Sequence, residues 1–253
     1  MKAMILAAGY GKRLRPITLS IPKPLVSVAG KPLITYHIEH LAKAGYIDLV
    51  INHGWLGEKI EIELGTGANW GVNIQYSPEG KPLESGGGIL KALPLLAGDQ
   101  SSKPDTPFIV LNGDVYTDVD LKRLSLPDGM LAHLVMVNNP DFHPEGDFCL
   151  DDGLLIEKAR VPQMPRLTFS GVSVLSPYLF DGCRTGDAFA LAPLLIDAMK
   201  QGRVSGQHHN GFWADVGSVE RLKALEDYIQ GQCQDQPQNQ TNLQDQSKAS
   251  WPQ

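Results

Sequence analysis

Three cysteines in 253 residues, Cys149, Cys183 and Cys233, are too few and too scattered for a disulfide framework, and their number is odd. No apolar run reaches the length that crosses a bilayer, so no membrane partner is expected. No charged-then-apolar leader precedes the first apolar run, and the expected compartment is the cytoplasm. A basic surplus is missing too. The net charge of −6 speaks against a nucleic-acid partner held by a broad positive surface. It does not speak against a small anion, because cations gather in one stretch near the start. No cysteine or histidine cluster has zinc spacing, and the adjacent His208 and His209 would face opposite sides of a strand. There is no internal repeat and no clear linker. From Gln232 on, glutamine, asparagine, aspartate and serine dominate, so residues 232–253 are expected to form a disordered polar tail.

What is present is concentrated in residues 2–33, KAMILAAGYGKRLRPITLSIPKPLVSVAGKPL. The apolar run Met4 to Ala8 reads as a buried strand. It runs into Gly9 and Gly11, then Lys12, Arg13 and Arg15, with Lys23 following between two prolines. Such a loop brings backbone N–H groups close to phosphate and neutralises its charge.

The hydrophobic fraction of 42% is enough for a sizeable core. After the loop, Leu33 to Leu41 has helical spacing, with Gly45 as its C-cap. Residues 47–52 read as a strand, 56–64 as a helix stopped by Gly65, and 72–76 as a third strand. Gly86-Gly87-Gly88 lead into a short helix through Leu96, and Phe108 to Leu111 is a fourth strand ending at Asn112-Gly113-Asp114. Strands alternating with helices imply a largely parallel sheet with helices on both faces. Ligands of such sheets sit beyond the carboxyl ends of the strands, where Gly9 and Asp114 both fall. Further strands are expected at 130–137 and 172–175, hairpin pieces between 138 and 170, and helices at 190–199 and 219–229.

The loop is not a P-loop, because Gly11-Lys12 is followed by Arg13 rather than Ser or Thr. It is not the dinucleotide fingerprint either, because Leu14 stands where the third glycine belongs. Glycine spacing alone would allow a plain strand-to-helix turn. The combination goes further: Ala7-Ala8-Gly9, Gly11, Arg13-Leu14-Arg15-Pro16, then Pro22-Lys23-Pro24-Leu25, then Gly30-Lys31-Pro32. This order resembles the signature of the sugar-phosphate nucleotidyltransferases, and the resemblance continues to about residue 230.

The resemblance implies a Rossmann-like α/β fold with a mixed, mostly parallel sheet flanked by helices. It implies a single nucleotidyltransferase domain over residues 1–231, with a nucleotide-binding half (about 1–120) and a sugar-phosphate-binding half (about 121–231). A sugar 1-phosphate oxygen would attack the α-phosphorus of a nucleoside triphosphate and displace pyrophosphate. Because the attacking phosphate is already ionised, catalysis would rest on positioning and charge stabilisation. Ala8, Gly9, Gly11 and Lys12 would wrap the triphosphate, Arg13 would bind the leaving pyrophosphate, and Lys23 would sit between the α-phosphate and the sugar phosphate. Asp114 and Asp215, each of which read alone is a turn or cap residue, would hold Mg²⁺. Glu79, Ser85 and Gly86 match a second base-binding loop. Asn112, Gly146, Glu157, Lys158 and Gly171 match sugar-phosphate-binding elements. Trp213 reads as a packing residue.

Pro82 to Ile89, Gly146-Asp147-Phe148 and Phe169 to Val172 look like the branch of the family that joins UTP to N-acetylmuramate 1-phosphate in cell-wall recycling. His143 or Arg166 would then meet the lactyl carboxylate. Branches using glucose 1-phosphate with dTTP or mannose 1-phosphate with GTP remain as alternatives. So does a non-catalytic sensor of nucleotide sugars, against which the joint presence of Arg13, Lys23, Asp114 and Asp215 speaks. A protein acting through its glutamine-rich tail would lose function on deletion of residues 232–253. The site described here would keep its turnover.

Overall fold

The computed structural model describes residues 1–97 and 106–234. Strand β1 (Ala3–Leu6) sits inside the sheet, with Ala3, Met4 and Ile5 fully buried. Ala3 and Ile5 join one core cluster and Met4 the other, as the two-residue period of a strand requires. A small hairpin follows, β2 (Ser27–Val28) with β3 (Lys31–Pro32). Helix α1 (Leu33–Ala44) buries Leu33, Ile34, Ile38 and Leu41 along one face and ends at Gly45, at φ 93°. The chain continues through β4 (Asp48–His53), α2 (Gly57–Leu64), β5 (Asn73–Pro78) and α3 (Glu84–Ala97) to β6 (Phe108–Asn112) and β7 (Val115–Thr117). Next come β8 (Ala132–Val137), β9 (Phe148–Asp151), β10 (Leu154–Glu157) and β11 (Arg166–Leu175). Helix α4 (Ala192–Lys200), β12 (Val204–His208), β13 (Trp213–Asp215) and α5 (Val219–Gln234) complete the described chain.

Nine strands form one sheet in the order β5-β4-β1-β6-β11-β8-β12-β10-β9. The first four run parallel, because helical crossovers join them. Beyond β6 the pairing is mainly antiparallel: β11 opposes both β6 and β8, and β9 and β10 form a hairpin turning at Asp152-Gly153. Only β12 on β8 is parallel in this half. The sheet is therefore mixed, with its parallel character gathered around β1. One face is covered by α1 and α2, the other by α3 and α4. Helix α5 lies apart, packing Leu222 and Leu225 against Val26, Val28 and Leu33.

Several elements differ from their sequence reading. Strand β11 runs for ten residues and not only over 172–175, its apolar pattern broken in the sequence by the buried Thr168, Ser170 and Ser173. Helix α3 starts at Glu84, so the three glycines lie within its first turns and not ahead of it. Helix α5 continues to Gln234, past the point where the polar tail was set, and residues 235–253 lie outside the described residues.

Candidate active site

The glycine-rich loop leaves β1 at its carboxyl end and is folded back on itself. Thr18, 1% exposed, donates its hydroxyl to the Gly11 carbonyl at 2.7 Å, and Leu14 N–H donates to the same oxygen at 3.0 Å. Trp55 Nε1 donates to the Thr18 carbonyl at 2.9 Å and ties the loop to the start of α2. Arg13 lies in a 3₁₀ turn, Lys12–Leu14, and Lys23 opens another, Lys23–Leu25.

A two-stranded ladder then brings distant carboxylates together. Strand β13 runs antiparallel to β7, with Asp215 opposite Val115, and Val216 N–H donates to the Asp114 carbonyl at 2.8 Å. Lys23 Nζ reaches Asp114 Oδ2 at 2.7 Å. Arg221 Nη1 reaches Asp215 Oδ2 at 3.1 Å. The other oxygen, Asp215 Oδ1, is buried with no hydrogen-bond partner. Burial, and next the charge of Asp114, push the Asp215 carboxyl above its ordinary pKa, against the opposing pull of Arg221, Lys23 and Arg13. A half-buried, half-satisfied carboxylate beside a second one suits a hard divalent cation, which needs one or two carboxylates besides phosphate oxygens. Among the described residues no group of three His, Cys, Asp or Glu side chains is arranged for a metal.

Two cavities meet at these residues. One, of about 250 Å³, is lined by Ala8, Gly9, Lys23, Glu79, Ser85, Asn112 and Asp114 among others. The second, of about 180 Å³, is lined by Gly9, Gly11, Lys12, Arg13, Lys23, Asp114 and Gly217. Gly9, Lys23 and Asp114 border both. The wall of the first is held by a buried network. Asn52 accepts from Ala7 N–H at 2.8 Å and donates to Glu79 Oε1 at 2.7 Å, while Glu79 Oε2 accepts from Leu83 N–H at 2.8 Å. Glu79 thus lines the cavity with each carboxylate oxygen already engaged.

Of the other expected site residues, Ser85 lines the first cavity, while Gly86, Gly146, Glu157 and Gly171 line neither. Gly86 donates its N–H to the Phe189 carbonyl at 2.9 Å and packs on the Phe189 ring. Ser85, at the rim, accepts from Leu191 N–H at 2.9 Å. Gly171, at φ 82°, packs against Asn112 at the register shift of β11. Gly146 occupies a turn between Asn139 and Arg166. Glu157 ends β10 opposite Phe148, and the side chain of Lys158 lies outside the described residues. His143 is paired with Asp147 at 3.0 Å, and Arg166 with Glu145 at 2.6 Å. Trp213 donates its Nε1 to the Ser170 carbonyl.

Sequence reasoning passed over Asn52 and Arg221. Asn52 ends an otherwise apolar strand, as Asn112 does, and that shared position is the signal that could have found it. Arg221 lies in a helix whose apolar stripe draws attention away from its charged positions.

A parallel-sheet end carrying a glycine-rich cationic loop, with two aspartates brought beside it, defines a nucleotide-handling class of protein. Residues 2–125 match the Nucleotidyl transferase family. A relative from Neisseria meningitidis serogroup B, named N-acetylmuramate alpha-1-phosphate uridylyltransferase, is 51% identical over 232 residues, spanning 88% of this chain and 96% of the relative. The chain belongs to the nucleotidyl transferase family. It is also 32% identical over 243 residues to a mannose-1-phosphate guanyltransferase from Gibberella zeae, covering 92% of this chain but 64% of that protein. A crystal structure from Bacillus anthracis, described as a glucose-1-phosphate thymidylyltransferase in complex with sucrose, superimposes with a TM-score of 0.74 at 20% identity. It covers 90% of this chain and 94% of its own, a likeness of fold. No helix among the described residues is long and apolar enough to cross a membrane.

Proposed function

We propose that this protein transfers a uridylyl group from UTP to N-acetylmuramate 1-phosphate, giving UDP-N-acetylmuramate and pyrophosphate, in the cytoplasm. The observation that carries the reading is the 51% identity, over nearly the full length of both chains, to a protein named for that reaction. The site's chemistry supports it. Gly9, Gly11, Lys12 and Arg13 receive the triphosphate, with Arg13 on the phosphates that leave. Lys23 lies between the triphosphate loop and Asp114, where the α-phosphate and the attacking sugar phosphate must meet. Its ammonium offsets the repulsion of two anions and the charge that builds in transfer. Asp114 and Asp215 would hold Mg²⁺, whose charge would screen the phosphates when bound. Asn112, Gly146, Glu157, Lys158 and Gly171 serve the sugar phosphate; Ala8, Glu79 and Ser85 shape the base pocket, and Gly86 supports its wall through its N–H to the Phe189 carbonyl.

The test is pyrophosphate release with Mg²⁺ across UTP, dTTP and GTP, each paired with N-acetylmuramate, N-acetylglucosamine, glucose and mannose 1-phosphates. The reading expects the UTP and N-acetylmuramate pair to give the highest kcat/KM. A preference for GTP with mannose 1-phosphate would move the chain to the reaction named for its Gibberella zeae relative. Tight UTP binding without any release would make it a sensor.

A further inference from the structure

Arg221 lies near the start of α5 and reaches back over Gly217. Its Nη1 is engaged by Asp215 Oδ2 at 3.1 Å, and its Cζ lies 3.9 Å from the centroid of the exposed Phe142 ring. The guanidinium fork is therefore split, with Nη2 left to point elsewhere. A Cβ built on Gly217 would stand 2.1 Å from Arg221 Nη2 and 2.9 Å from Arg13 Nη1. Two guanidinium groups, one from the glycine-rich loop and one from the last helix, thus converge on a residue with no side chain. Asp215 offsets one of these charges, and a further anion beside them would offset the other. The space beside them is the smaller cavity, bordered by Gly11, Lys12, Arg13, Lys23 and Gly217. Its cationic lining matches a diphosphate, and planar guanidinium forks suit phosphate oxygens better than point charges do.

We propose that Arg221 is a second arginine for the leaving diphosphate, closing on it beside Arg13, over Gly217. The inference rests on the nucleotidyl-transfer reading and assigns the subsite of its leaving group. Phe142 lies against the guanidinium as a cation–π partner, and Asp215 fixes one arm of the fork while the other faces the ligand.

The experiment measures inorganic pyrophosphate binding by calorimetry on the full chain, with and without Mg²⁺, and the KM for pyrophosphate in the reverse reaction. Arg221→Gln should weaken pyrophosphate roughly 10- to 100-fold, the range of a lost charge-assisted hydrogen bond, while the KM for sugar 1-phosphate moves less than about threefold. Arg221→Lys should recover part of the loss, since it restores charge without the fork. Gly217 is not in the left-handed region, so Gly217→Ala leaves the backbone unstrained. Its methyl group should force the two guanidinium groups apart and weaken pyrophosphate as well. Pyrophosphate affinity within about twofold of the parent in Arg221→Gln overturns the proposal. So does a loss that falls on the sugar phosphate instead. Should Arg221→Gln fail to fold, Arg221→Lys and Gly217→Ala decide the matter by the same criterion. If the parent releases pyrophosphate from no substrate pair yet loses pyrophosphate binding on Arg221→Gln, the transfer reading fails and the diphosphate site stands.

Discussion

Lys23 and Asp114, 91 residues apart in the chain, are joined by an ion pair of 2.7 Å at the junction of two cavities. The lysine is 12% exposed and the aspartate 36%, so the pair is screened on the lysine side and open on the other. On the proposed function, a substrate phosphate arriving from the open side would meet a cation already fixed in place.

Replacing that cation should therefore damage the chemical step more than binding. Lys23→Met is expected to lower turnover roughly 10²- to 10³-fold, as loss of a comparable electrostatic donor does. Pyrophosphate release at saturating substrates checks this, with UTP affinity measured in parallel. A change confined to the KM for UTP would place Lys23 in ground-state binding only.

Asp215 is a half-buried carboxylate whose Oδ1 is buried and unsatisfied, and burial raises its pKa. That burial and the charge of Asp114 oppose its ionisation, while Arg221, Lys23 and Arg13 favour it. Asp215→Asn should raise the Mg²⁺ concentration needed for half-maximal activity while changing unfolding free energy by no more than about 1 kcal/mol. Mg²⁺ titration and urea melts measure the two effects. A loss of about 3 kcal/mol or more would make the carboxylate chiefly the structural partner of Arg221.

Gly171 has φ 82°, and a Cβ there would lie 2.8 Å from Asn112 Nδ2. Gly171→Ala should cost about 1–2 kcal/mol from the left-handed backbone alone and displace Asn112 as well. Steady-state kinetics should show a higher KM for the sugar phosphate with little change for UTP.

These placements show what the amino-acid sequence carries and what it hides. The loop, the β6 carboxyl end and α1 with its glycine cap were legible, because each is encoded within a few consecutive residues. The Asp114–Asp215 pairing was legible only as a resemblance, since β7 and β13 are three residues each and too short to show a period. Strand β11 was half hidden because its polar residues are buried. Gly86 read as a base-binding residue, yet its N–H is taken by Phe189, a partner more than a hundred residues away that no local pattern announces. Arg221 was passed over for the same reason: its meaning comes from Gly217 and Arg13, not from its own helix.

His37 is fully buried in α1, and burial, reinforced by His40, lowers its pKa to about 4 against the pull of Asp114. The unfolded chain then binds more protons than the folded one between about 4 and the ordinary 6.5. Stability from this residue is complete above 6.5 and is lost as pH falls, at up to about 1.4 kcal/mol per pH unit. His37→Gln should flatten that slope. Urea melts at about pH 7.5 and about pH 5 measure it, and identical slopes in both proteins would remove His37 as the cause.

The ribbon of β7 and β13 has a consequence for synthesis. Asp215 follows the glycine-rich loop by about two hundred residues in the chain, and Arg221 lies further still. A nascent or truncated chain ending before β13 would carry the complete glycine-rich loop and the strands β1 and β4 to β6, yet lack one of its two carboxylates. On the proposed function, such a fragment would hold nucleotide without turning it over, so the loop alone does not make the site competent.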